Sequence, residues 1–153
     1  MSAGMRAIWF NKKHPDAVYL DHRSEIAPSD CNRRSSPDIV CDTRSMPSAV
    51  GAGYSLIVFD PPHVSLGASG TFGTRYGSYS VAEIRDIIKR SASEAHRVSL
   101  PDALMAFKWN DHDQKLKDIL SLMEDWWEPL FGQQTARHKM SETYWVMLRR
   151  RPA

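Results

Sequence analysis

The sequence has no long hydrophobic run and little cysteine. No apolar stretch reaches the roughly 18 residues needed to cross a bilayer, so no membrane span is expected. The segment Met1 to Phe10 lacks the apolar core of a secretory signal peptide, which predicts a cytoplasmic protein. The two cysteines, Cys31 and Cys41, form no CxxC pair and have no neighbouring metal ligands. Free thiols and no metal site are therefore expected.

The sequence also lacks a large excess of positive or negative charge. Lys and Arg number 20 and Asp and Glu 18, for a formal net charge of +2. Dedicated nucleic-acid-binding domains usually carry a clustered basic stripe, so this balance does not diagnose one. Two local clusters remain, Arg33-Arg34 and Arg149-Arg150-Arg151. Each is either solvated surface charge or a set of contacts to phosphate groups.

What is present is an ordinary globular composition. The chain is 42% hydrophobic and 25% charged, as in folded soluble domains, and no internal repeat or low-complexity segment interrupts it. Its 153 residues fit one domain, residues 1–153.

The stretch around which the chain is organised is Tyr54 to His63. Leu56 to Phe59 is an unbroken apolar run rich in branched and aromatic side chains, which predicts a central strand buried on both faces. Asp60 and then Pro61-Pro62 must end this strand, because proline has no N–H for a sheet hydrogen bond. In open α/β sheets ligands bind at the carboxyl ends of strands, so Asp60 and the following ring of His63 form a candidate site.

Two shorter apolar runs upstream also end in an acid. Ala17 to Leu20 precedes Asp21, and Asp38 to Cys41 precedes Asp42. In Rossmann-like folds an acid in such a place accepts hydrogen bonds from the ribose hydroxyls of an adenosyl cofactor. Alternatively, each aspartate caps a local turn. The later Gly51-Ala52-Gly53 precedes a strand rather than opening a helix, so it predicts a turn and not a phosphate loop.

Helices and strands alternate after the central stretch. Ser80-Val81-Ala82-Glu83 is a capping box that opens the clearest helix of the chain. Downstream, the pattern predicts a strand over Ala103 to Trp109, a helix over Asp113 to Met123, a short strand after Trp126 to Gly132 and a last strand over Thr143 to Leu148. This alternation predicts an α/β sheet whose final strands are antiparallel.

The segment between the central stretch and the first helix is rich in glycine, serine and threonine. It contains Tyr76 between Gly73 and Gly77. Such a segment either closes over a substrate, where Tyr76 would contact it, or is a plain surface loop.

Asp60-Pro61-Pro62-His63 resembles the Asp/Asn-Pro-Pro-aromatic motif of class I S-adenosylmethionine-dependent methyltransferases that act on exocyclic amino nitrogens, chiefly of nucleobases. Other segments match in order, and the likeness covers most of the chain. The set resembles a group of small bacterial and phage-encoded methyltransferase-like proteins. The further matching segments are Tyr19-Leu20-Asp21-His22-Arg23, Cys41-Asp42-Thr43-Arg44-Ser45-Met46-Pro47, Phe107-Lys108-Trp109-Asn110 and Pro129-Leu130-Phe131-Gly132.

The resemblance implies a fold and a set of catalytic roles. The fold would be a reduced Rossmann-like methyltransferase sheet, mostly parallel with antiparallel C-terminal strands and helices on both faces. The Asp60 carboxylate and the Pro61 carbonyl would accept hydrogen bonds from the target amino group, with Pro62 completing the rigid step. His63 would stack on the target base, in the place where the family usually has tyrosine, phenylalanine or tryptophan. The expected substrate and partner is adenine or cytosine in nucleic acid.

The resemblance also implies S-adenosyl-L-methionine as cofactor. Asp21 would accept from its ribose, and Asp42, with Arg44, would contact its adenine amino group. Lys108 and Asn110 would border the substrate. Alternatively, Lys108 extends from a strand end into solvent and Asn110 caps the next helix.

One family feature is missing, a glycine-rich turn before Asp21. Either the segment Arg6 to Phe10 replaces the first strand, so that Phe10 and Lys12 form an unusual cofactor wall, or the chain is a reduced relative that binds the cofactor poorly. Arg6 to Phe10 itself is either a short strand or an aromatic plug. In a reduced relative a middle strand of the sheet would be missing. The exposed strand edges left behind would favour a homo-oligomer. The alternative functions are a catalytically silent cofactor-binding or interaction protein and an enzyme that uses the cofactor on a small molecule.

Overall fold

The computed structural model describes residues 1, 4, 6–24, 36–65, 79–138 and 141–152. Cys31, Arg33-Arg34 and the predicted closing segment with Tyr76 lie outside the described residues. The strands described are β1 (Leu20–Asp21), β2 (Ile39–Val40), β3 (Tyr54–Phe59), β4 (Ser99–Asn110), β5 (Trp127–His138) and β6 (Ser141–Arg150). The helices described are a 3₁₀ turn (Ser48–Val50), α1 (Val81–Val98) and α2 (Leu116–Leu120). None of these helices is long and apolar enough to cross a membrane.

A mixed four-stranded sheet forms the centre of the fold, in the order β3-β4-β6-β5. β3 and β4 are parallel, whereas β6 is antiparallel to both of its neighbours, β4 and β5. Three of these strands therefore run in one direction and only the last strand of the chain runs in the other. β1 and β2 form a separate parallel pair. The predicted α/β fold, mostly parallel with an antiparallel C-terminal strand, is confirmed.

Helix α1 begins where the capping box predicts. Ser80 Oγ accepts from the Glu83 amide, and the Glu83 carboxylate accepts from the Ser80 amide at 2.7 Å. One face of the helix is buried, with Ile84, Ile88 and Ala92 fully inaccessible to solvent, whereas Val81 at its start is 42% exposed. Trp127 on β5 fastens this helix to the sheet, because its indole N–H donates to the Ala92 carbonyl at 2.9 Å.

Replacing Ser80 with alanine should destabilise the protein by about 1 kcal/mol, the usual cost of losing a helix N-cap. The hydroxyl that satisfies the Glu83 amide would be gone. Urea unfolding measures the change. Ser80→Thr keeps a capping hydroxyl and should lose less; equal losses for both variants would contradict the capping role.

The prediction that Leu56 to Phe59 is a central strand buried on both faces is wrong. In the part of the chain that the structure describes, β3 lies at one edge of the four-stranded sheet. Ile57 and Phe59 are buried, but Leu56 is 50% exposed. The physical reason is that no described strand fills the space beside the outer edge of β3. Among the described residues, the Met1 amino group bonds to this edge, donating to the Val58 carbonyl at 2.7 Å.

Most predicted elements differ in length from those observed: β1 and β2 are shorter than the apolar runs suggest, and β4 and β6 are longer than predicted. The helix predicted over Asp113 to Met123 is only Leu116–Leu120, and Asp113 lies before it with its carboxylate bound to Ser65. β5 is longer than the short strand expected, since it pairs along the whole of β6. The turn predicted at Gly51-Ala52-Gly53 is confirmed, with positive φ angles of 73° at Gly51 and 91° at Gly53.

Candidate functional site

A cavity of about 920 Å³ lies along the outer edge of β3. This volume is within the roughly 300–1,000 Å³ typical of small-molecule sites. On one side its wall is β3 itself, from Tyr54 to Val58, and on the other it is the segment that leads into β1. The Asp60-Pro61-Pro62-His63 motif and Lys108 line its end, at the carboxyl edge of the sheet. The motif therefore faces a space large enough for a nucleoside-sized ligand.

Asp60 is paired with Lys108 across the two parallel strands. Phe59 on β3 is in register with Phe107 on β4, so the next residues, Asp60 directly after β3 and Lys108 within β4, lie side by side. Lys108 Nζ donates to Asp60 Oδ2 at 3.0 Å, and each side chain is about one quarter exposed. The alternative that Lys108 extends from a strand end into solvent is therefore wrong. Both charges line the cavity.

His63 is held by the motif and by the core. Its Nδ1 lies 3.3 Å from the Pro61 carbonyl, and its ring meets Trp109 edge-on with the ring centres 6.1 Å apart. Burial lowers the pKa of His63 below its usual value, although the Asp60 carboxylate and the Pro61 carbonyl act in the opposite direction. The ring is therefore neutral at pH 7, a state that suits contact with an uncharged base.

The lowered pKa of His63 predicts a pH-dependent contribution to stability. An unfolded histidine titrates near 6.5, so between that pH and the lower folded pKa the unfolded chain binds more protons. The stability due to neutral His63 is thus present above pH 6.5 and is lost as the pH falls through this window. His63→Phe keeps a ring without a titrating group, so urea unfolding at pH 7.5 and pH 5 should show a smaller loss in the variant. An equal loss in both proteins would contradict the assignment.

Asp113 lies outside the cavity lining but contacts the segment that follows the motif, and the sequence did not single it out for the site. Its Oδ2 accepts from the Ser65 hydroxyl at 2.6 Å, and its Oδ1 lies 2.6 Å from His112 Nδ1. The carboxylate thereby ties the segment after the motif to the turn after β4. Burial alone raises the pKa of Asp113, but the hydrogen bonds from Ser65 and His112 outweigh it and the net shift is downward. The only signal in the sequence is an acid three residues beyond a strand end.

Asp21 ends β1 and lines the cavity, as predicted, but its carboxylate is already engaged. It is 3% exposed and accepts hydrogen bonds from the Gly4 amide at 3.0 Å and from the amide and guanidinium of Arg23, both at 3.1 Å. Burial by itself raises the pKa of Asp21, and the bonds from Arg23 and Gly4 overcome this and lower it. Asp21 thus organises the turn around itself at the cavity wall.

Asp42 follows β2 and is more open. Arg44 binds it through Nη2 at 2.7 Å and also reaches Asp86 on α1 at 2.9 Å. The hydrogen bonds from Arg44 lower the pKa of Asp42, while the two carboxylates raise the pKa of Arg44. About half of the Asp42 side chain is exposed, and both Asp42 and Arg44 line the cavity. Tyr79 lies on the same wall and was not singled out from the sequence.

Of the predicted site residues that the structure describes, three are not among those that line the cavity. Phe10 is fully exposed, and Lys12 contributes its carbonyl to Arg6. The adjacent Ile8 and Trp9 line the cavity instead, with Trp9 packed edge-on against Tyr19 at 5.1 Å. The segment is therefore an aromatic plug and not a strand.

Asn110 is the third of these residues. It donates to Thr143 Oγ1 at 2.9 Å and accepts from the His112 amide at 3.1 Å, which closes the turn after β4.

The C-terminal arginines lie at the opposite end of the strands from Asp60, since Arg149 on β6 is in register with Leu104 on β4. Arg149 pairs with Glu128 at 2.6 Å, and Arg150 donates to the His96 carbonyl at 3.1 Å. Because β6 is antiparallel to β4, its end lies away from Asp60. These arginines therefore do not border the cavity.

No protein-family model matches the chain, and no curated protein matches its sequence. Among solved structures, the N-methyltransferase NodS from Bradyrhizobium japonicum WM9 in complex with S-adenosyl-L-homocysteine is similar with a TM-score of 0.49 and 11% identity, over 73% of this chain and 53% of that one. A TehB-like SAM-dependent methyltransferase from Corynebacterium glutamicum has a TM-score of 0.49 and 15% identity, over 74% and 55%. A second NodS structure has a TM-score of 0.48 and 9% identity, over 73% and 58%. The chain spans little more than half the length of these solved proteins.

Proposed function

We propose that this protein is an S-adenosylmethionine-dependent methyltransferase that acts on an exocyclic amino nitrogen, with adenine or cytosine in nucleic acid as the substrate class. The observation that carries the proposal is the position of Asp60-Pro61-Pro62-His63 at the carboxyl edge of the sheet, beside the large cavity along β3. The four residues resemble the motif that aligns an amino group in such enzymes. Their carboxylate, carbonyl and ring all belong to one rigid turn.

The residues of the cavity fit an adenosyl sulfonium. Asp42, at the end of β2, offers a half-exposed carboxylate to an adenine amino group. Asp21 stands where a ribose would lie, and a ribose hydroxyl would replace bonds that Arg23 now supplies. Apolar residues on the same walls, such as Leu20 and Ile57, suit the flat faces of the adenine ring. Asp60 lies at the far end of the cavity, where the target amino group would meet the methyl group.

S-adenosylmethionine, when bound, supplies a methyl group on a positively charged sulfur. Asp60 would accept a hydrogen bond from the target amino group, and the Pro61 carbonyl would accept a second. These acceptors aim the nitrogen lone pair and stabilise the positive charge that develops on the nitrogen. Asp60 would then receive the proton that the nitrogen loses. His63, neutral and braced by Trp109, would contact the face of the base.

The proposed partners are nucleic acid and a second copy of the chain. The target base would come from nucleic acid, and the cavity would receive it only as an extruded or unpaired base, because a base inside a duplex cannot reach Asp60. The outer edge of β5, which no described strand pairs with, is consistent with a homo-oligomer in which a second chain adds to the sheet, whereas the outer edge of β3 borders the cavity. Light scattering coupled to size-exclusion chromatography measures that association state.

Transfer of a tritiated methyl group tests the proposal. The wild-type protein should label adenine- or cytosine-containing single strands, and hydrolysis to nucleosides followed by chromatography should place the label on the amino nitrogen. Label on ring nitrogens or on protein would contradict the proposed target. Cofactor binding without transfer to any nucleic acid or small amine would favour the silent cofactor-binding protein.

A further inference from the structure

We infer that Lys108 is a specificity-determining residue, which together with Asp60 recognises a neutral amine that has a hydrogen-bond acceptor on the adjacent ring atom. This inference rests on the proposed function and narrows its substrate class. Asp60 would accept from the amino group while Lys108 donates to the neighbouring ring nitrogen. Adenine and cytosine both present such an edge, and a simple alkylamine does not.

The geometry of the pair supports this role. Lys108 lies within β4, Asp60 directly follows the parallel strand β3, and both come next after the register pair Phe59 and Phe107. Their polar atoms are 3.0 Å apart, and both residues line the cavity. Lys108 has three N–H donors and spends one of them on Asp60. Asp60 accepts this bond through Oδ2, and the described residues make no hydrogen bond to Oδ1. One acceptor and two donors are thus left for a ligand.

The charge of the pair narrows the ligand further. Asp60 and Lys108 together are neutral, so they match an uncharged edge with one donor and one acceptor better than a phosphate or an ammonium ion. A ligand without the acceptor would leave part of the ammonium desolvated and unbonded, which costs affinity. Lys108 is held by Asp60 and is only about one quarter exposed, so it cannot turn away into water without breaking this pair.

Binding of adenosine and 1-deazaadenosine tests the inference. The two nucleosides differ in that the acceptor N1 is replaced by C–H. Calorimetric titration in the presence of S-adenosyl-L-homocysteine should give the wild-type protein at least about tenfold tighter binding of adenosine, as expected for a hydrogen bond to a charged donor. Lys108→Met should bind both nucleosides about equally, and Lys108→Arg should keep part of the preference. Lys115→Met, which removes an exposed lysine that does not line the cavity, should behave like the wild type.

The outcomes separate this inference from the proposed function. An adenosine preference that survives Lys108→Met, or no binding of either nucleoside, would overturn the role of Lys108. A preference that depends on Lys108 in a protein that transfers no methyl group would support the role and contradict the enzymatic proposal. Methyl transfer by a protein whose preference for adenosine does not depend on Lys108 would support the enzymatic proposal and contradict the role of Lys108.

Discussion

Asp60→Ala is expected to reduce kcat for methyl transfer by about 10²- to 10³-fold, the cost of removing one preorganised polar group aimed at developing charge. The variant would lose the carboxylate that orients the target amine and stabilises its charge. Asp60 is partly exposed and has Lys108 as its hydrogen-bond partner among the described residues, so the fold should survive the substitution. Single-turnover transfer of a tritiated methyl group gives the rate without a contribution from product release.

Two controls make the Asp60 result interpretable. Asp60→Asn keeps one acceptor oxygen and should retain more activity than Asp60→Ala. Asp86→Ala removes a carboxylate on α1 that binds Arg44 and is 45% exposed, against 24% for Asp60. This control should leave the chemical step nearly unchanged. Full activity of Asp60→Ala would remove the carboxylate from the mechanism.

Trp109→Ala should destabilise the protein by about 3–5 kcal/mol, the range for truncating a buried tryptophan or phenylalanine. Trp109 is fully buried near the carboxyl end of β4, its ring stacks on Phe107 with centres 6.1 Å apart, and its indole N–H donates to the Gln114 carbonyl at 2.9 Å. Alanine would leave a cavity under His63 and an unpaired buried carbonyl. Urea unfolding followed by circular dichroism measures the change.

Trp109→Phe separates the two contributions. It keeps most of the ring but loses the N–H, so it should cost about 1–3 kcal/mol for the unpaired Gln114 carbonyl. Tryptophan fluorescence is a poor probe here, since the substitution removes one of the five tryptophans. Equal stability of wild type and Trp109→Ala would show that this end of the core is not packed as described.

The local features of the fold could be predicted where one short pattern determines them. Ser80 to Glu83 encodes a capping box, and it begins helix α1 as expected. Asp21 ends strand β1, as the short apolar run before it predicts, whereas β2 ends at Val40, before Cys41 and Asp42. Asp60 likewise leaves the sheet at Pro61 because proline cannot continue the ladder.

Contacts between distant segments could not be predicted in the same way. The edge position of β3 depends on whether another segment fills its outer side, which the apolar run Leu56 to Phe59 does not reveal. The Asp60–Lys108 pair results from the register between β3 and β4, 48 residues apart. Trp9 lines the cavity where Phe10 was predicted to do so, and this depends on a turn that no local pattern specifies.

A crystal structure of the protein grown with S-adenosylmethionine tests the central claim most directly. We expect the adenosyl group beside Asp21 and Asp42, and the methyl-bearing sulfur within contact distance of Asp60 at the end of β3. A cofactor bound elsewhere, or a space beside Asp60 closed by packed side chains in a protein that takes up none, would contradict it.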